Sequence, residues 1–172
     1  MRVLGVDPGT RVTGYGVIET GNGTPGMGRL IECGTIRFAR KTSLAQRLAE
    51  LHQGIEELIA RHQPTALALE NAFYHKNVRT TLVLGHARGV VLLAAQQQGL
   101  HIAEYPPATV KKTVVGAGGA QKSQVAAMVA RLLSLKHAPK PADAADGVAV
   151  ALTFILRSPR VPPLRNGEGA RG

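Results

Sequence analysis

Tryptophan is missing altogether, and aromatic side chains supply only 3% of the 172 residues. The core must therefore be aliphatic and alanine-rich, in line with a hydrophobic content of 44%. A single cysteine, Cys33, excludes an internal disulfide and any thiolate-rich metal site. No window approaches the length of a membrane span, and Asp7 interrupts the N-terminal apolar run. Neither a transmembrane segment nor a signal peptide is expected, and a cytoplasmic protein follows. Acids are scarce as well: 11 Asp and Glu stand against 21 Lys and Arg, a formal charge of +10. A soluble domain this basic most often meets a polyanion, nucleic acid being the commonest.

What is present begins with Val3-Leu4-Gly5-Val6-Asp7-Pro8-Gly9-Thr10. A short apolar run ends on one acid and breaks in a Pro-Gly turn, the pattern of a buried strand. Residues 12–20 follow as the second arm of a hairpin, and residues 28–38 as a third antiparallel strand. The period then changes. Leu44, Leu48, Leu51, Ile55, Leu58 and Ile59 recur at helical spacing, opened by Ser43 and Gln46 as a capping box. A short strand at 65–70 ends on Glu70, a helix runs from Val78 to about Gln98, and residues 101–105 form a fifth strand. Pro106 and Pro107 open a short helix to about Val115, a Gly-rich connection follows, and two more helices close the fold. The last runs from about Pro141 to Arg157. Strands one, four and five, separated by helices, should run parallel, with the hairpin strands antiparallel beside them. The expected fold is α/β: a mixed five-stranded sheet with helices on both faces, one domain over 1–157. The tail at 158–172, rich in Pro, Gly and Arg, is expected to be disordered.

Asp7 ends strand one and Glu70 ends strand four. As parallel neighbours, both acids leave the same edge of the sheet. Asp143 and Asp146 stand at i and i+3 in the first turn of the last helix and share one face. The helix dipole alone would account for Asp143. Asp146 is harder to dismiss, because its helix is apolar on most sides. Four clustered acids repel one another unless cations occupy the cluster, and this many hard oxygen ligands suit Mg²⁺ or Mn²⁺. Two such ions can activate water and stabilise the leaving oxygen of a phosphodiester.

Gly5-Val6-Asp7-Pro8-Gly9-Thr10, Thr13-Gly14-Tyr15-Gly16-Val17-Ile18, Leu69-Glu70, Lys111-Lys112-Thr113-Val114-Val115-Gly116, Lys122-Ser123-Gln124-Val125 and Asp143-Ala144-Ala145-Asp146 together resemble the RuvC family. These are the bacterial Holliday-junction resolvases of the ribonuclease H-like superfamily. The resemblance runs from Met1 to about Arg157. It implies a homodimer that nicks two strands of a four-way DNA junction symmetrically with Mg²⁺, in recombination and repair. It further implies RuvA and RuvB branch-migration partners, and Asp7, Glu70, Asp143 and Asp146 as catalytic, metal-binding acids. Lys111 and Lys122 match family lysines that contact DNA, and Phe73 the position that wedges the junction.

Tyr74 could stack on a splayed base or plug the second helix, two readings the residues leave open. Lys112, Lys76, Arg79 and Arg11 could meet phosphate by location only, and each taken singly reads as a solvated surface charge. Gly116 to Ser123 is no nucleotide-binding loop, because Gln121 and not glycine precedes Lys122. Gly85 and Gly89, four apart in the second helix, make one bare face, read as the dimer contact. Two other functions stay open: a branched-DNA binder that no longer cuts, and a nuclease of the same fold acting on RNA–DNA hybrids.

Overall fold

The computed structural model describes residues 1–21, 27–39, 42–71 and 77–158. Five strands, β1 (Arg2–Asp7), β2 (Val12–Glu19), β3 (Arg29–Arg37), β4 (Ala66–Glu70) and β5 (His101–Tyr105), form one sheet in the order β3-β2-β1-β4-β5. The pairs β1–β2 and β2–β3 are antiparallel, whereas β1–β4 and β4–β5 are parallel. This is the mixed sheet that the sequence order predicts.

Helices α1 (Leu44–His62) and α2 (Val78–Gln97) cover one face; α3 (Pro107–Val115), α4 (Lys122–Leu132) and α5 (Ala142–Arg157) cover the other. The strands divide between the two cores by simple alternation. Leu4, Val6, Leu67 and Leu69 pack with α1 and α2. Val3, Ala66 and Ala68 pack with α5 and its neighbours. Side chains on a strand alternate with period two, so Asp7 and Glu70 continue the rows of Val3 and Ala68 and belong to the α5 face.

Local signals act as expected at α1. The Ser43 hydroxyl accepts from the Gln46 N–H at 3.2 Å, and the Gln46 carboxamide accepts from the Ser43 N–H at 2.9 Å. Gln63 closes the helix in the left-handed conformation, satisfying the Ile59 carbonyl.

Among the described residues, α5 and the hairpin pack backbone against backbone. A Cβ on Gly14 would overlap the Asp143 carbonyl, and one on Gly147 would lie 2.5 Å from the Tyr15 Cα. Backbone therefore meets backbone here with no side chain between, and α5 lies on β1 and β2 instead of above them.

Two expectations are corrected. Asp143 lies in the first turn of α5, but Asp146 begins the second. The expectation that no stretch reaches membrane-span length also fails, because α2 has 20 residues and contains an 18-residue window with a mean hydropathy of 1.3. Its apolar residues do not all serve the core. Ala87, Val91, Ala94 and Ala95 are buried, while Val78, Leu82 and Leu93 are exposed at 73%, 60% and 52%. Residues 22–26, Phe73, Tyr74, Lys76 and the residues from 159 onward lie outside the described residues.

The α5 contact generates a prediction. Gly14→Ala should destabilise the protein by about 3 kcal/mol, since overpacking against backbone has no flexible neighbour to yield. A urea midpoint equal to that of the unsubstituted protein would show that the helix sits more loosely than described.

Candidate active site

Three elements bring the acids together. In β1, Asp7 is paired with Gly14 of β2, and the last β1–β4 pair, Val6 with Leu69, precedes Asp7 and Glu70 directly. Gly14 is the residue against which the first turn of α5 rests. The same contact that packs the helix thus delivers Asp143 and Asp146 beside Asp7. The turn after Asp7 is pinned from two sides. The Arg47 guanidinium of α1 donates to the Thr10 carbonyl at 3.1 Å, and the Phe38 N–H donates to the Arg11 carbonyl at 3.2 Å.

All four acids are half-buried, and they feel one another. Burial pushes the Asp7 carboxyl well above the ordinary carboxylate range, and the charges of Glu70, Asp146 and Asp143 push the same way. Burial, then Asp146, raises Glu70 to about 7. Lys122 at the start of α4 opposes both shifts, and Lys111 of α3 opposes that of Glu70. Lys122 Nζ donates to Asp146 Oδ2 at 2.7 Å. The ammonium is raised in turn, chiefly by this bond. Lys122 is therefore the counter-ion of the acid cluster.

Among the described residues, no three acids, histidines or cysteines close around a common point as a finished metal cage. The donor chemistry nevertheless fits a hard cation. Carboxylates whose charge is disfavoured by burial and mutual repulsion gain most from one, and Asp146 already holds a positive group. Of the remaining basic candidates, Arg11, Arg79 and Lys112 are exposed.

A cleft of about 130 Å³ adjoins this site. Asp7, Pro8 and Glu70 border it on one side, and Asn71, Thr81, Leu84, Gly85 and Arg88 line the rest. Arg88 is held by β5, donating from Nε and Nη2 to the two Glu104 oxygens at 2.6 and 2.8 Å. The sequence reading overlooked Asn71 and this ion pair. The available signal was faint: one cation inside an apolar helix and one anion inside an apolar strand, 16 residues apart.

Residues 3–154 match the family described as crossover junction endodeoxyribonuclease RuvC. The chain belongs to the RuvC family. It is 50% identical over 151 residues to the RuvC of Halorhodospira halophila, covering 88% of this chain and 87% of that one. It is 52% identical over 155 residues to the RuvC of Azorhizobium caulinodans, covering 89% and 88%. The fold matches Thermus thermophilus RuvC in complex with Holliday junction substrate at a TM-score of 0.83. There the identity is 33%, with 91% and 93% of the two chains covered. As a RuvC-family member the chain is a junction-resolving endonuclease, and the family is one of metal-dependent nucleases.

The raised acids predict an unusual pH dependence in the presence of chelator. The Glu70 carboxyl has an ordinary value of 4.5 and a folded value of about 7, so the native state is penalised as it ionises. Stability associated with Glu70 is present at low pH and lost as pH rises through about 7. Glu70→Gln should therefore gain on the order of 2 kcal/mol over the unsubstituted protein near pH 8.5, and little near pH 4.5. Urea denaturation at the two pH values checks this, and equal differences at both would refute it.

Proposed function

We propose that residues 1–157 act as one nuclease domain that resolves four-way junctions as a homodimer, with Asp7, Glu70, Asp143 and Asp146 as the catalytic, metal-binding acids. The observation that carries this is their convergence from β1, β4 and α5 on one face of the sheet edge in a RuvC-family chain. We further propose Mg²⁺ as the natural cation, with Mn²⁺ able to substitute and two ions per site. Bound there, such ions supply Lewis-acid stabilisation of phosphodiester oxygens and a water acidic enough to attack at neutral pH.

The chain's own residues orient the substrate. Asp7 and Glu70 sit on strand ends, where the sheet fixes their backbones and leaves only the side-chain rotamers to be set. Lys111 and Lys122 flank them and suit the phosphates on either side of the cut, attracting a backbone that four acids alone would repel. Phe73 and Tyr74, directly after this edge, are proposed to stack on bases at the crossover. RuvA and RuvB are the proposed branch-migration partners, and the cytoplasm the proposed location.

The dimer is proposed to form along α2. Val78, Leu82, Gly85, Gly89 and Leu93 fall within one stripe at helical spacing, and a Cβ at Gly85 or Gly89 would meet nothing within 4 Å. That open space favours a bare seam flanked by exposed leucine and valine over glycines kept for tight packing on the chain's own sheet. An isologous pair through this seam would relate two sites by a two-fold axis, as a junction's own symmetry requires.

Cleavage of a synthetic four-way junction beside a linear duplex and an RNA–DNA hybrid tests the function. Asp7→Asn should bind the junction at least as tightly as the unsubstituted protein while cutting at least about 1000-fold more slowly. Unimpaired cutting by that variant would remove Asp7 from the chemistry, and cutting of the hybrid in preference to the junction would replace the substrate. Leu82→Glu should shift sedimentation from dimer to monomer with the fold intact by circular dichroism; an undisturbed dimer would move the interface off α2.

A further inference from the structure

The cleft beside the acids combines features that neither catalysis nor the metal explains. Asn71 follows Glu70 directly and is only 5% exposed. Its backbone N–H donates to the Tyr105 carbonyl at 2.8 Å, which fixes the residue in place. Among the described residues, its carboxamide has no hydrogen-bond partner, although it lines the cleft. The described side-chain atoms that are both buried and unpartnered are Thr13 Oγ1 and Arg47 Nε, so the Asn71 carboxamide still reaches solvent through the cleft and stands open to a ligand there. Its one donor group and one acceptor oxygen call for a ligand presenting both side by side.

The rest of the cleft narrows the choice. Beyond the acid edge a phosphate finds no free cation, because Arg88, the one cation in the wall, is already neutralised by both Glu104 oxygens. Leu84 offers apolar surface, and Gly85 offers none of the bulk that a side chain would project. The volume of about 130 Å³ compares with the roughly 150 Å³ cavity that accepts a benzene ring. A neutral, planar group with a hydrogen-bonding edge fits these terms. In a DNA substrate that group is a nucleobase.

We infer that this cleft receives the base of a nucleotide adjoining the scissile phosphate, and that Asn71 reads its edge and so sets sequence preference at the cut. Arg88 is the positioning residue: pinned to β5, it holds the far wall of the cleft at a fixed distance from Glu70. The inference rests on the assignment of Asp7 and Glu70 as the acids that meet the scissile phosphate.

The test compares cleavage of four-way junctions that differ only in the bases flanking the cut. The unsubstituted dimer should prefer some of these sequences, and Asn71→Ala should reduce the ratio of best to worst about 10-fold or more, the worth of one good base contact. Junction affinity should stay within about 2-fold, because backbone contacts carry it. Asn71→Gln keeps the donor and acceptor and should retain selectivity. A uniform slowing on all sequences by Asn71→Ala, with the ratio unchanged, would overturn the inference and leave Asn71 a structural residue. Failure of the unsubstituted protein to cut any junction would instead overturn the assignment of the acids, and this inference with it.

Discussion

The bare contact between α5 and the β1–β2 hairpin is the constraint on which the site depends. Gly14 and Gly147 let the helix backbone lie against the strands, and that proximity sets where Asp143 and Asp146 stand relative to Asp7. A helix one side chain further out would still bury its apolar residues, yet its acids would be separated from those of the sheet. Packing and chemistry are thus decided by the same few atoms. The alternation of side chains along β1 and β4 supplies the other half. By placing Asp7 and Glu70 on the α5 face, it aims two fixed carboxylates at two delivered by the helix.

Bringing four acids together in a chain of net charge +10 sets up opposing demands. The cluster needs cations to be tolerable, whereas the substrate it acts on is an anion. Lys122 answers the first demand by bonding to Asp146, and it stands where it can also answer the second. The raised carboxyls of Asp7 and Glu70 record how much repulsion and burial one lysine leaves uncompensated. The acid edge is consequently under electrostatic strain that a bound cation relieves.

Much of this was legible in the residues themselves. The sheet order followed from the helices separating β1, β4 and β5, and the capping box at Ser43 and Gln46 formed as its spacing indicates. The acids could be placed at one edge because Asp7 and Glu70 end strands and Asp143 stands in the first turn of α5, with Asp146 three residues on along the same face. What escaped was pairing across distance. Nothing local links Gly14 to Asp143, or Arg88 to Glu104, because their contact is a product of the fold. The apolar length of α2 was likewise underestimated, since its residues divide between the core and an exposed stripe. Composition does not show which side a leucine serves.

The sheet has two free margins, and β3 is one of them. Exposed strand edges invite pairing with another molecule's edge. In β3 the first and last residues are Arg29 and Arg37, both exposed, and Glu32 midway gathers Tyr15, Arg61 and His62 around its carboxylate. Guanidinium groups at both ends and a bulge in β3 at Ile31, where the register with β2 shifts between Val17 and Ile18, make a poor template for sheet extension. Self-association through backbone ladders, the route toward polymers and aggregates, is thereby discouraged. A basic chain drawn to a polyanion thus carries, at this margin, a strand that resists edge-to-edge pairing between copies.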